Sequence, residues 1–260
     1  METAGLACSK GGVAGESSGG RAPEESRALF ETEAFRAVAG QALRPGGTAL
    51  TQSALDRCPI PAGSRVADVG CGRGATLALL AGRGFSAVGL DPGPGLLAEA
   101  RDMSGHAGLA GQTGLAGLAG TCRLIRGVAE AIPLASGSMA AVTCECVLSV
   151  SRHKALALAE MRRILAPGGM LILSDLYRRD PSRASCGPPG CAAGAVPRGE
   201  IEALLAYAGF RIRVFEDHSR LLAELAGRLI FAGFPARSLS AGCSESGRPG
   251  YYLCIAHAEE

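Results

Sequence analysis

The chain has 260 residues, with 26 Lys and Arg against 24 Asp and Glu and a formal net charge of +2. That length suffices for one large domain with a real core, and the near balance of charge speaks against electrostatic gripping of nucleic acid or an anionic membrane. Charged residues at 19% and a mean hydropathy of +0.21 exclude a wholly disordered chain.

Residues 1–25 are rich in Gly, Ser, Ala and Glu and offer almost nothing bulky to bury, which predicts a disordered tail before a domain at 26–260. From Glu25 the spacing of Leu29, Phe30, Phe35, Val38 and Leu43 predicts a helix, stopped at Arg44-Pro45-Gly46-Gly47. A second helix, capped by Thr48 or Thr51, is expected to run to about Arg57. Arg65–Val69 then reads as a strand, Ala75–Gly82 as a helix, Ser86–Leu90 as a strand ending at Asp91, and Pro94–Met103 as a helix. Residues 104–120, with near-copies of Gly-Leu-Ala-Gly, read as a low-complexity insertion. Strands follow at Thr121–Arg126 and Ala140–Cys146, then a helix at Lys154–Leu165, a Pro167-Gly168-Gly169 turn and an apolar strand at Met170–Ser174. Past a Gly/Pro-rich loop at 181–196 come a helix at Glu200–Tyr207, a strand at Phe210–Phe215, a helix at Ser219–Phe231 and a last strand at Tyr251–His257. Strands alternating with helices predict an α/β fold with a doubly wound, mostly parallel sheet and helices on both faces.

No apolar run reaches the roughly 18 residues of a membrane span, and the first residues lack the charged and apolar regions of a signal peptide. A cytoplasmic protein, monomer or homodimer, is the expectation, without nucleic-acid or membrane partners. The ten cysteines are therefore read as thiols. None forms a C-x-x-C pair, and no metal site is expected. Cys71, Cys122, Cys144 and Cys254 fall in or beside predicted strands, where a thiol is a small core hydrophobe.

In open α/β sheets ligands bind beyond the carboxyl ends of the strands. There the first strand ends in Asp68-Val69-Gly70-Cys71-Gly72-Arg73-Gly74, a loop whose backbone can approach a ligand closely. Gly70, Gly72 and Ala75 also satisfy the weak dinucleotide pattern, and Asp91 suits either reading because a carboxylate there accepts both ribose hydroxyls. An acidic residue two positions before the first glycine tips the balance: Asp68 suits a cationic amino group better than a pyrophosphate.

With V-A-D-V-G-C-G-R-G, V-G-L-D, G-V-A-E-A-I-P-L and L-A-P-G-G in that order, the chain resembles class I S-adenosylmethionine-dependent methyltransferases of the small-molecule type, from about Arg44 to His257. The resemblance implies a seven-stranded Rossmann-like sheet with an antiparallel seventh strand, S-adenosylmethionine as cofactor and a small-molecule acceptor. It assigns the methionine moiety to Asp68 and the loop of Gly70, Cys71, Gly72 and Gly74, the ribose to Asp91 with Pro92, and the adenine to Ala129 and Glu130, with Glu145 at the site's edge. Two departures stand out: Val128 replaces a usual acidic residue, for which Glu130 is the substitute, and Met139-Ala140-Ala141-Val142 replaces F-D-x-V.

The acceptor side is expected from the end of the fourth strand, the loop after the fifth and the N-terminal helices. Glu145, Cys146 and His153 are the candidate catalytic groups there. Cys146 and Cys191 also resemble the thiols of arsenite methyltransferases, with Cys58 a poor match for a third, so a soft-metalloid acceptor is an alternative. A nicotinamide-dependent oxidoreductase is the other.

Overall fold

The structure, a computed structural model, describes residues 33–40, 42–106, 121–182, 192–235 and 249–259. The expected tail at 1–25 therefore lies outside the described residues, as do 107–120 of the insertion and Cys191.

In chain order the elements are α1 (Glu33–Ala39), α2 (Gly47–Asp56), β1 (Arg65–Val69), α3 (Ala75–Gly82), β2 (Ser86–Asp91), α4 (Pro94–His106) and β3 (Cys122–Arg126). There follow β4 (Met139–Glu145), α5 (Lys154–Ile164), β5 (Leu165–Arg178), α6 (Arg198–Tyr207), β6 (Phe210–Asp217), α7 (Ser219–Phe231) and β7 (Pro249–Ala258). The seven strands form one sheet in the order β3-β2-β1-β4-β5-β7-β6. All neighbours pair in parallel except β7, which runs antiparallel to both β5 and β6. The strand order reverses between β1 and β4, so the crevice for a ligand opens at the carboxyl ends of those two strands.

Alternation of side chains explains the two-sided core. In β5, Met170 and Ile172 face α2 and α3, whereas Leu171 and Leu173 face α5 and α6. The same alternation sends Tyr251, Leu253 and Ile255 of β7 to the first face and Tyr252, Cys254 and Ala256 to the second. Cys71, Cys144 and Cys254 are buried in these layers, and burial first of all pushes their thiols up, that of Cys254 to about 12.

Three local expectations need correction. Neither Thr48 nor Thr51 caps α2: the cap position is Gly46, in a left-handed conformation (φ 76°), and no side chain caps the helix. α4 continues to His106, into the stretch read as insertion. The Pro167-Gly168-Gly169 turn lies inside β5, as an irregularity between the Met139–Leu165 and Ala141–Met170 pairs, with Gly168 at φ 70°.

Candidate functional site

The loop from β1 to α3 is shaped by three glycines of positive φ, Gly70 (76°), Gly72 (50°) and Gly74 (86°), a region costly for any other residue. The amides of Gly70 and Cys71 donate to the Leu90 carbonyl at 2.7 and 3.0 Å, tying the loop to β2. Asp91 completes the tie: its Oδ2 accepts the Gly72 amide at 2.9 Å and its Oδ1 the Gly93 amide at 2.8 Å. Each carboxylate oxygen retains a further lone pair. A Cβ on Gly70 would stand 2.1 Å from Val147 Cγ2, so the loop packs against the segment after β4, whereas a Cβ on Gly72 would meet nothing within 4 Å.

Two hollows meet at this loop. One, of about 490 Å³, is lined by Gly72, Asp91, Glu145, Cys146 and Tyr251 among others. The other, of about 220 Å³, lies between Leu90, Pro92, Val128, Ala129 and Glu130. Gly70, Pro92, Val147 and Val150 line both.

The expected residues fall into place unequally. Asp68 is buried and lines neither hollow; its Oδ1 accepts the Thr143 hydroxyl at 2.8 Å. Burial, and next the charge of Glu145, push its carboxyl up to about 7 against the opposing pull of Thr143 and Arg44. Cys71 turns its sulfur toward Gly89 of β2, as a Cβ added there would meet it at 2.9 Å. Glu130 stands at the smaller hollow, but its carboxylate accepts the Ser151 hydroxyl at 2.6 Å. Although partial burial works against its charge, that hydrogen bond and those of the Glu130, His153 and Arg152 amides hold it below the usual carboxylate range. Val128, which lines the same hollow, is 43% exposed. His153 is a correction: it sits exposed at the start of α5 and lines neither hollow. Cys191 is outside the described residues, so the structure does not pair it with Cys146.

Glu145 lines the larger hollow, yet its carboxylate is already engaged. Oε2 lies 2.8 Å from the Arg44 guanidinium and accepts the Thr76 hydroxyl at 2.7 Å, while Oε1 accepts the Thr51 hydroxyl at 2.6 Å. Arg44 itself donates to both threonines, at 2.6 and 2.9 Å. A carboxylate so occupied is a strut, not a ready base. Sequence reasoning missed this cluster because its members come from the α1–α2 turn, α2, α3 and β4. The helix α7 is expected from the sequence, but not its place in the cavity wall, to which it lends Leu222, Leu225, Ala226 and Leu229.

Cys146 follows β4 at φ 57°, a left-handed conformation rare outside glycine. Its amide donates to the Ser174 carbonyl at 2.8 Å, and its sulfur lies 3.5 Å from the Tyr251 hydroxyl. Cys58 donates to the Ala54 carbonyl, and burial pushes its thiol up to about 11. Among the described residues no group of three or more His, Cys, Asp or Glu is arranged to hold a metal ion.

A parallel sheet with an antiparallel β7 and a glycine loop tied to an aspartate at the reversal point define an α/β nucleotide-type site. Residues 67–173 match a family described as a methyltransferase domain. The chain is 33% identical over 128 residues to an uncharacterized methyltransferase of Bacillus subtilis, covering 49% of this chain and 50% of that protein. It is likewise 33% identical over 117 residues to a ubiquinone biosynthesis O-methyltransferase of Pseudomonas aeruginosa, covering 45% and 46%. The chain thus spans about half the length of the curated relatives it matches. Among solved structures, the cyclase SpnF superposes with a TM-score of 0.68 at 20% identity, over 84% of this chain and 83% of that one. A Haemonchus contortus phosphoethanolamine N-methyltransferase in complex with S-adenosyl-L-methionine gives 0.68 at 16%, over 87% and 56%. Residues 67–173 thus match a methyltransferase domain, and the sheet has the fold of these solved structures.

Proposed function

We propose that this chain transfers the methyl group of S-adenosylmethionine to a small-molecule acceptor. The observation that carries the reading is the glycine loop bound edge-on to Asp91 where two hollows meet. The residues present fit the cofactor. Gly72 opens on the larger hollow, and Asp91 keeps lone pairs for ribose hydroxyls. Arg36 and Arg73 line the same wall, and each has a buried Nε without a hydrogen-bond partner, which suits a carboxylate. Ala129 and Val128 offer an apolar face for a flat base. Bound there, S-adenosylmethionine supplies a sulfonium methyl group open to in-line attack.

The chain's own part is alignment and exclusion of water. The Arg44–Glu145 strut holds the turn before α2 down on the carboxyl end of β4, closing one side of the larger hollow. Both wall carboxylates, Asp91 and Glu145, already accept hydrogen bonds. No finding supports the nicotinamide or metalloid alternatives. A cytoplasmic enzyme agrees with the thiols at Cys58, Cys71, Cys144 and Cys254, none of them in a disulfide; no helix among the described residues is long and apolar enough to cross a membrane. A screen with labelled S-adenosylmethionine against quinol precursors, small acids, thiols and arsenite tests the reading. Transfer to an organic acceptor supports it; label transferred to none of them, from protein that binds the cofactor, overturns it.

A further inference from the structure

The larger hollow has two chemically distinct ends. The loop end carries its charged residues: Arg36 and Arg73 pair with Glu99, Arg44 with Glu145, and Asp91 with two backbone amides. At the other end the wall is hydrocarbon. Leu222, Leu225 and Leu229 recur at the three-and-four spacing of one helix face of α7, and α7 contributes no charged residue to the wall. Opposite them stand Phe35 and Leu43 from the α1 side, and Leu176 from β5. The contact between α1 and α7 is closed by the Phe35 and Phe234 rings, edge-on at 6.5 Å.

Between the two ends lies a small uncharged polar group. The Tyr251 hydroxyl donates to Ser174 Oγ at 3.0 Å and stands 3.5 Å from Cys146 Sγ, at the carboxyl ends of β4 and β5. Burial raises the Tyr251 phenol well above its ordinary range, so it stays a hydrogen-bonding hydroxyl rather than a charge.

We propose that the α1–α7 end of this hollow binds the hydrocarbon body of an amphiphilic acceptor, such as an alkyl-substituted phenol, with its reacting group set beside Cys146 and Tyr251. The proposal deepens the methyltransferase reading and rests on it. Apolar wall residues that a polar acceptor would leave in contact with water gain from each methylene they cover. An ammonium compound would find no countercharge on α7.

The test titrates the full chain with 4-ethyl-, 4-butyl- and 4-hexylphenol, with and without saturating S-adenosylhomocysteine, and with phosphocholine and guanidinoacetate as charged comparators. Affinity is expected to rise about fourfold per methylene, the equivalent of about 0.8 kcal/mol. Leu222→Gln and Leu176→Gln, both at half-buried wall positions, should each flatten that gradient and leave S-adenosylhomocysteine affinity unchanged. An affinity independent of alkyl length, a gradient untouched by both substitutions, or tighter binding of the charged comparators would overturn the proposal. Should S-adenosylhomocysteine itself fail to bind, the methyltransferase reading falls, while the alkyl gradient without it still decides the nature of this end.

Discussion

The Arg44 guanidinium stands 2.8 Å from the Glu145 carboxylate, with only 8% and 4% of the two side chains exposed. Thr51 and Thr76 hydrogen-bond to both partners, so α2, α3 and β4 converge on one ion pair. Removing one partner leaves a buried charge without its counter-ion, which costs about 3–5 kcal/mol, whereas removing both is far cheaper. Glu145→Gln should therefore destabilise the fold by about 3 kcal/mol or more, and adding Arg44→Met should recover most of the loss. Urea denaturation of the single and double variants measures this; a Glu145→Gln protein of unchanged stability would show the pair to be dispensable.

Gly70→Ala is expected to disable the loop. The new Cβ meets Val147 Cγ2 at 2.1 Å and must also adopt φ 76°. Val147→Ala removes the clash but not the strain, which is worth about 1–2 kcal/mol. The double variant should thus regain part of the thermal stability lost by Gly70→Ala, and full recovery would mean that the backbone conformation carries no cost.

Much of this was legible in advance, and the reasons differ by element. The strands are legible because β1, β2, β4 and β7 are largely apolar runs while β3 and β6 alternate apolar with charged residues, and the glycine loop because its spacing is local. What failed depends on distance. Thr51 looked like a helix cap because Ser and Thr cap helices, but its hydroxyl is drawn inward by Glu145, which no local pattern announces. His153 sits close to the site in sequence, yet it is exposed just before α5.

Asp68 predicts a pH effect. Its carboxyl titrates near 7 in the folded chain against about 4 when unfolded. The folded state therefore binds the proton more tightly, and stability falls as pH rises from about 4 to about 7, by up to about 4 kcal/mol. Asp68→Asn removes the charge and should raise the melting temperature at pH 8 while changing it little at pH 4.5. A gain of equal size at both pH values would mean that the charge is not responsible.

Asp91→Ala removes a carboxylate that orders Gly72 and Gly93 and that is proposed to accept the ribose hydroxyls. Charged hydrogen bonds of this kind contribute about 1.5–3 kcal/mol, so S-adenosylhomocysteine affinity should drop tenfold or more. Equilibrium binding to the folded variant measures it, and an unchanged affinity would place the ribose elsewhere.

The most direct test of the central claim is a pair of calorimetric titrations of the full chain, one with S-adenosylhomocysteine and one with NADH. A glycine loop closed on Asp91 serves either nucleotide in principle, and the methyltransferase domain match favours the first. The account predicts saturable binding of S-adenosylhomocysteine and no measurable heat from NADH. Saturable binding of NADH with none of S-adenosylhomocysteine would contradict it.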